Sequence, residues 1–248
     1  MEQKKKAGLV SVVIPTVSTR KKELKRALES VKNQTYKNIE IVVVDEGLPA
    51  PIQRNIGIKR SHGEFIAFLD DDDIWMPEKI EEQVKMLNKK EFSHVGLCVT
   101  WILDKRFGKE RVNKTPDIIH HDYVLNAFNL QSTSAYMFRK NHLIKYGGFD
   151  ETLPSAQEYD LALRLSKHNP IISIPKVLVI QNATEGQISE NWSKKIKGIL
   201  AIRKKHKKDY AFSNHIKTFG LVVVFAFGYI FGNRIYSVLT YFKRRHQE

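Results

Sequence analysis

One cysteine, Cys98, stands among 248 residues, so no disulfide can form within the chain and a cross-linked secreted framework is excluded. Its place in the apolar run Val95-Gly96-Leu97-Cys98-Val99 is that of a packed thiol. Acids are scarce beside bases, 27 Asp and Glu against 41 Lys and Arg, for a formal charge of +14. That balance concerns partners rather than fold, and it points to phosphates, anionic lipid or nucleic acid. Long apolar runs are missing as well. The most apolar stretch, Phe219 to Gly232, has 14 residues and as a helix covers only about 21 Å of a ~30 Å hydrocarbon core. Met1 to Lys6 is polar and basic, with no apolar signal core, which predicts a catalytic part that stays in the cytoplasm.

What is present suits one α/β domain with an appendage: 42% hydrophobic residues in this length can bury a core. Leu9 to Ile14 reads as a buried parallel strand closed by Pro15. Leu24, Ala27, Leu28 and Val31 then recur at helical spacing from Lys21 to Asn33, and Ile39 to Val44 is a second buried strand that ends at Asp45. A helix over Ile52 to Ser61 leads into a third strand, Glu64 to Leu69, which stops at four consecutive aspartates, Asp70 to Asp73. The pattern goes on with a helix after Pro77, a strand over His94 to Leu103, a helix over Ile118 to Phe128, a strand over Thr133 to Arg139, and a helix from Ala156. A last strand, Ile171 to Ile180, is interrupted by Pro175, which suggests an edge or a bend. In open α/β sheets ligands bind beyond the carboxyl ends of parallel strands, so Thr16, Asp45 and the aspartate run should meet in one crevice.

Four adjacent aspartates are hard to explain as packing, because like charges in contact raise one another's pKa unless a cation neutralises them. Mg²⁺ or Mn²⁺ is the natural remedy, since either takes oxygen ligands and needs only one or two carboxylates beside substrate phosphates. The alternative is an acidic turn or helix N-cap, a role open to Asp71 and Asp73.

At this point the chain resembles the family 2 glycosyltransferases of GT-A fold, over about residues 10–180. The resemblance is carried by an ordered set: Val12-Val13-Ile14-Pro15-Thr16, Ala27 to Tyr36, Val43-Val44-Asp45-Glu46-Gly47, Arg54-Asn55 with Gly57, and Gly63 to Asp70. The second half adds Gly147-Gly148-Phe149-Asp150-Glu151 and Gln157-Glu158-Tyr159-Asp160-Leu161. The resemblance implies a Rossmann-like αβα sandwich acting on a UDP- or GDP-linked sugar. It places Pro15, Thr16 and Asp45 with the nucleoside, and Asp70 and Asp71 beside the ribose or donor sugar. Asp72, with Asp70, becomes the metal ligand, and Glu158 the base that takes the acceptor's proton, with Asp160 as second choice. Arg54 is either a cation beside the diphosphate or a surface helix arginine. Val17 and Glu46 depart from the family pattern, and only Glu46 to Gln53 separate Asp45 from Arg54, where many members carry a further helix and strand.

Residues 1–190 thus read as the catalytic domain and 191–248 as a basic, amphipathic helical extension. Phe219 to Gly232, with Tyr229, Tyr236, Tyr241 and Phe242, suits a helix lying in a membrane interface, which predicts a glycan or polyprenyl-linked acceptor at the cytoplasmic face of the cell membrane. The run Arg203 to Lys208 reads as a solvated helix face. Two rivals fit less well. A nucleic-acid-binding protein would interleave aromatics with its cations, whereas here the aromatics cluster in apolar runs. An aspartate-nucleophile phosphatase would be expected to carry its acids on the first strand, which ends without one.

Overall fold

The computed structural model describes residues 6–106, 110–127, 130–182 and 192–211, together with 220 and 223. Nine strands form one mixed sheet. They are β1 (Lys6–Pro15), β2 (Ile39–Val44), β3 (Gly63–Phe68), β4 (Ile74–Trp75), β5 (Leu97–Asp104), β6 (Arg111–Asn113), β7 (Ile118–Ile119), β8 (Met137–Arg139) and β9 (Ile171–Gln181). The order across the sheet is β2-β1-β3-β8-β5-β9-β4, with β6 against β5 and β7 against β9. β1 lies between β2 and β3 and is parallel to both, so three strand ends open on the same edge. Val12, Val13 and Ile14 alternate in direction along β1 and are all fully buried, which means that both faces of the sheet are covered.

The helices are α1 (Lys21–Lys32), α2 (Ala50–Arg60), α3 (Lys79–Leu87), α4 (His121–Ala127), α5 (Lys140–Lys145), α6 (Gln157–Ser166) and α7 (Trp192–Lys205). α1 buries Ala27 and Val31 of the stripe that its spacing predicts, packs Leu24 and Leu28 partly buried against the core, and buries Ser30 beside them. α2 packs very close to β1: a Cβ on Gly57 would lie 2.2 Å from Val13 Cγ1, so only glycine allows this approach. The same helix carries Arg54 towards the strand ends.

Several expectations shift in detail. The stretch expected as one helix from Ile118 divides into β7, which pairs with β9, and the short α4. The segment from Thr133 begins as a 3₁₀ turn before β8. Pro175 marks a bend and not an edge, since β9 is paired on both sides and its register with β5 slips after Ile174. β2 is an outer strand of the sheet, and Ile41 and Val43 on it are exposed.

The basic run meets its reading as a solvated face in part, since Lys204, Lys205, Lys207 and Lys208 are exposed. Arg203 and His206 are buried, the Arg203 guanidinium sits 3.7 Å from the Tyr210 ring centroid, and Lys205 reaches Asp150 and Asp160 at 2.6 and 2.8 Å. The reason is the buried Asp160, which draws cations inward from α7. Among the described residues no helix is long and apolar enough to cross a membrane. The apolar run 219–232, apart from 220 and 223, lies outside the described residues.

Candidate active site

The aspartate run begins where β3 ends. Leu69 N–H still donates to Val13 O (3.0 Å), and the chain then turns, with Asp73 N–H closing back on Asp70 O at 3.0 Å. β4 follows at once and pairs with β9, which pins the turn from its far side. Ser134 locks it from the 3₁₀ turn before β8: its Oγ accepts from Asp70 N–H at 3.0 Å and donates to Asp73 Oδ2 at 2.6 Å. Neither Asp71 nor Asp73 caps α3, whose N-cap is Glu78 without a side-chain cap. The capping alternative is thereby corrected, because both carboxylates turn into the site instead.

Three side chains converge on the run from the β1 and α2 side. Thr16 Oγ1 donates to Asp71 Oδ2 at 2.7 Å. Arg20 spans two acids, reaching Asp71 at 2.9 Å and Asp72 at 3.0 Å. Arg54 reaches Asp70 at 2.6 Å and lies over the Phe149 ring. Arg54 is only 7% exposed, so it is no surface arginine, and its Nε is buried without a partner. Asp70 and Asp72 keep 27% and 11% of their side-chain surface and remain accessible.

Four carboxylates stand here beside three guanidiniums, Arg20, Arg54 and, through its charge, Arg106. Burial, with the charges of Asp70 and Asp72, pushes Asp73 well above the usual carboxylate range, the Ser134 bond and the Arg106 charge offsetting it in part, and its Oδ1 is buried without a partner. Burial likewise lifts Asp71 to about 6, against the lowering effect of Thr16 and Arg20. No ready group of three His, Cys, Asp or Glu ligands stands among the described residues. Asp70 and Asp72 offer two carboxylates, so a divalent cation there would need further oxygen ligands from a substrate.

Glu158 belongs to the same electrostatic neighbourhood. It lies in the first turn of α6; burial raises its proton affinity, the Arg54 charge lowers it and the Asp70 charge raises it. Asp160 does not belong there. It is fully buried, and it is bonded to Arg164, Lys205 and His206, each at 2.8 Å. Burial alone would raise its pKa, but the His206 hydrogen bond and the Arg164 and Lys205 charges hold it down to about 2. Such a group is a poor proton acceptor, and its geometry is that of a tie between α6 and α7. Asp45 stands exposed at the end of β2, next to Thr16, whose N–H donates to Val44 O at 2.9 Å. Pro15 is buried at the end of β1.

Sequence reasoning missed Arg20, Ser134 and Gln53. The Gln53 amide donates to Thr16 O at 3.1 Å and to Leu48 O at 2.8 Å, which fixes the two loops beside Asp45. No local pattern marks these residues, since each acts across a long sequence separation.

Comparison with known proteins places the whole chain. Residues 11–197 fit the profile of glycosyltransferase like family 2. The chain belongs to that family. A Rickettsia bellii protein, named an uncharacterized glycosyltransferase, is 30% identical over 219 residues, covering 76% of this chain and 31% of its own length. A Haemophilus influenzae protein of the same designation is 26% identical over 63% of this chain and 62% of its own length. The amylovoran biosynthesis glycosyltransferase AmsE of Erwinia amylovora is 28% identical, covering 73% of this chain and 79% of its own. The chain thus spans under a third of the R. bellii relative and somewhat less than two thirds of the Haemophilus one.

Among solved structures, Staphylococcus aureus TarS 1-349 in complex with UDP-GlcNAc superimposes with a TM-score of 0.64 at 15% identity, covering 89% of this chain and 73% of that one. The mannosyltransferase PcManGT of Pyrobaculum calidifontis, in complex with GDP-Man and Mn2+, gives 0.60 at 15% identity, covering 95% and 79%. These similarities establish the GT-A-type fold of the transferase.

Proposed function

We propose that the transferase moves a sugar from a UDP- or GDP-linked donor, with inversion at the anomeric carbon, to a glycan or polyprenyl-linked acceptor presented at the cytoplasmic face of a membrane. The observation that carries this reading is the under-neutralised acid run at the end of β3, with Glu158 in reach of the same Arg54 and Asp70 charges. Asp70 and Asp72 would hold Mg²⁺ or Mn²⁺, which supplies positive charge for the nucleoside diphosphate as it leaves. Two fold relatives with bound UDP-GlcNAc and with GDP-Man and Mn2+ support this choice of donor and ion.

Each protein group then has a separate task. Thr16, Asp45 and the backbone at Pro15 receive the nucleoside at the ends of β1 and β2. Asp71 orients the turn through Thr16 and Arg20 and stands beside the ribose. Arg54, held against Asp70, brings a positive charge to bear on the diphosphate. Glu158 accepts the proton of the acceptor hydroxyl as that oxygen bonds to the anomeric carbon and the bond from carbon to diphosphate breaks. A carboxylate with raised proton affinity is the better base for this step.

Turnover of nucleotide sugars with and without Mn²⁺ tests the reading directly. Consumption of UDP-GlcNAc or GDP-mannose that requires Mn²⁺ or Mg²⁺ supports it, and turnover unaffected by chelation removes the cation from the account. Membrane association rests on the +14 charge and the apolar run 219–232, because an interfacial helix gains from both apolar burial and anionic lipid. Removal of residues 212–248 should release the transferase from anionic vesicles and leave donor turnover. Equal partition of the two forms would remove the membrane from the proposal.

A further inference from the structure

We infer that α7 and the turn that follows it are the positioning element of the catalytic base: Gly198, Lys205, His206 and Tyr210 fix the first turn of α6 and thereby aim Glu158. This rests on Glu158 as the base. The contacts bracket that residue on both sides in the chain. Upstream, Ser155 Oγ donates to Lys194 O at 3.0 Å. A Cβ on Gly198 would lie 2.2 Å from Ser155 Oγ and 2.8 Å from Ser155 O, so α7 approaches here only because that position is glycine. Between Ser155 and α6 stands Ala156 in the left-handed region, φ 59°. A non-glycine residue persists there only when its surroundings over-determine it, and the α7 contact beside it supplies that restraint.

Downstream, the two residues after Glu158 are both held from the C-terminal side. Tyr159 OH meets Tyr210 OH at 3.2 Å and also donates to Val124 O at 3.0 Å. Asp160 Oδ1 accepts from His206 Nε2 and from Lys205 Nζ, each at 2.8 Å. His206 is itself steadied by Asp209 at 3.4 Å, which pairs with Lys167, and Tyr210 lies under the Arg203 guanidinium. On its own side of the helix Arg164 ties Asp160 to the carbonyls of Tyr146 and Gly148.

Residues 157 to 160 make one helical turn, so fixing positions 155, 159 and 160 leaves Glu158 only its side-chain torsions. Misplacement of a reacting group by about 1 Å can cost up to ~10²-fold in rate. The residues of α7 thus act through α6 and touch neighbours of the base. A segment expected as a membrane-facing appendage becomes part of the catalytic apparatus.

The test uses the full chain and three readouts: turnover of whichever of UDP-GlcNAc or GDP-mannose the wild type consumes, affinity for Mn²⁺ with UDP and with GDP, and hydrogen exchange across residues 153–163. His206→Ala should slow turnover about tenfold, leave nucleotide affinity within about twofold, and speed exchange in the first turn of α6. His206→Gln, whose amide can still donate to Asp160, should recover most of the rate. Tyr210→Phe removes a single hydroxyl and gives a milder version of the same pattern if the alanine variant folds poorly. Unchanged exchange and turnover in both His206→Ala and Tyr210→Phe would overturn the inference, as would nucleotide affinity falling in step with turnover. Failure of the base assignment is seen separately, as wild-type turnover in Glu158→Gln while the α6 exchange response to His206→Ala persists.

Discussion

Asp73 at the end of β3 and Asp160 on α6 are both buried carboxylates, yet their proton affinities move in opposite directions. Burial raises both. Asp160 then gains Arg164, Lys205 and His206 in direct contact and falls to about 2, whereas Asp73 has one hydroxyl donor, the charge of Arg106, two neighbouring carboxylates and an unpartnered oxygen. The difference lies in countercharge, not in burial. A buried acid that the chain fully compensates is a structural tie. An acid run that the chain leaves short of positive charge is a place for a ligand cation.

The sharpest break in this contrast comes from two substitutions on one helical turn. Glu158→Gln should cost about 10² to 10⁴ in turnover, since the amide keeps the shape and cannot take a proton. Nucleotide binding and thermal stability should barely change. Steady-state kinetics beside a melting curve checks this, and near-normal turnover would move the base elsewhere.

Asp160→Ala should do the reverse in kind, with unfolding by urea showing a loss of about 3–5 kcal/mol because Arg164, Lys205 and His206 lose their shared anion. The pH dependence has a definite sign. A folded pKa near 2 against an ordinary 3.8 is a depressed one, so its stabilisation is present above 3.8 and disappears as pH falls from there towards 2. The gap between wild type and variant should accordingly be flat near neutrality and close in acid. A gap that persists unchanged at about pH 2 would contradict the pairing.

The smallest effect sharpens the rule with a cation. Lys79 is fully buried, bonded to Gln83 Oε1 at 2.7 Å and set over the Trp75 ring, and burial lowers its pKa to about 7. The unfolded chain keeps this proton up to about 10.5, so folding releases it between those values and stability rises with pH across that window. Lys79→Met should abolish this rise and stabilise the neutral protein by ~2 kcal/mol net of the bond lost at Gln83. Denaturation midpoints of both forms at several pH values decide it.

Much of the fold was legible because β1, β2, β3 and α1 are strongly patterned and end on marked residues, Pro15, Asp45 and Asp70. The family resemblance singled out Thr16, Asp70 and Glu158, and the fold brings these distant segments near one another, Thr16 onto Asp71 and Glu158 within range of the Asp70 charge. The short elements were not legible. β4, β6, β7 and β8 have two or three residues each, too few for any period to register. Arg20 and Ser134 look like ordinary loop residues until the turn at Asp70 folds onto them. The basic run at the end of α7 was read only in part: its lysines are exposed, but Arg203 and His206 are buried. Only the tertiary position of Asp160 explains why His206 turns inward and why Lys205 reaches across to it.

The central claim is that the acid run at the end of β3 is short of a cation which Asp70 and Asp72 hold with the donor's diphosphate. Calorimetric titration of UDP and of GDP into the transferase, with and without Mn²⁺, measures it most directly when wild type and Asp72→Asn are compared. The account predicts Mn²⁺-dependent binding of at least one nucleotide to the wild type, lost in the variant with its metal-free melting temperature nearly unchanged. Nucleotide binding to Asp72→Asn that still rises with Mn²⁺ as in the wild type would contradict it.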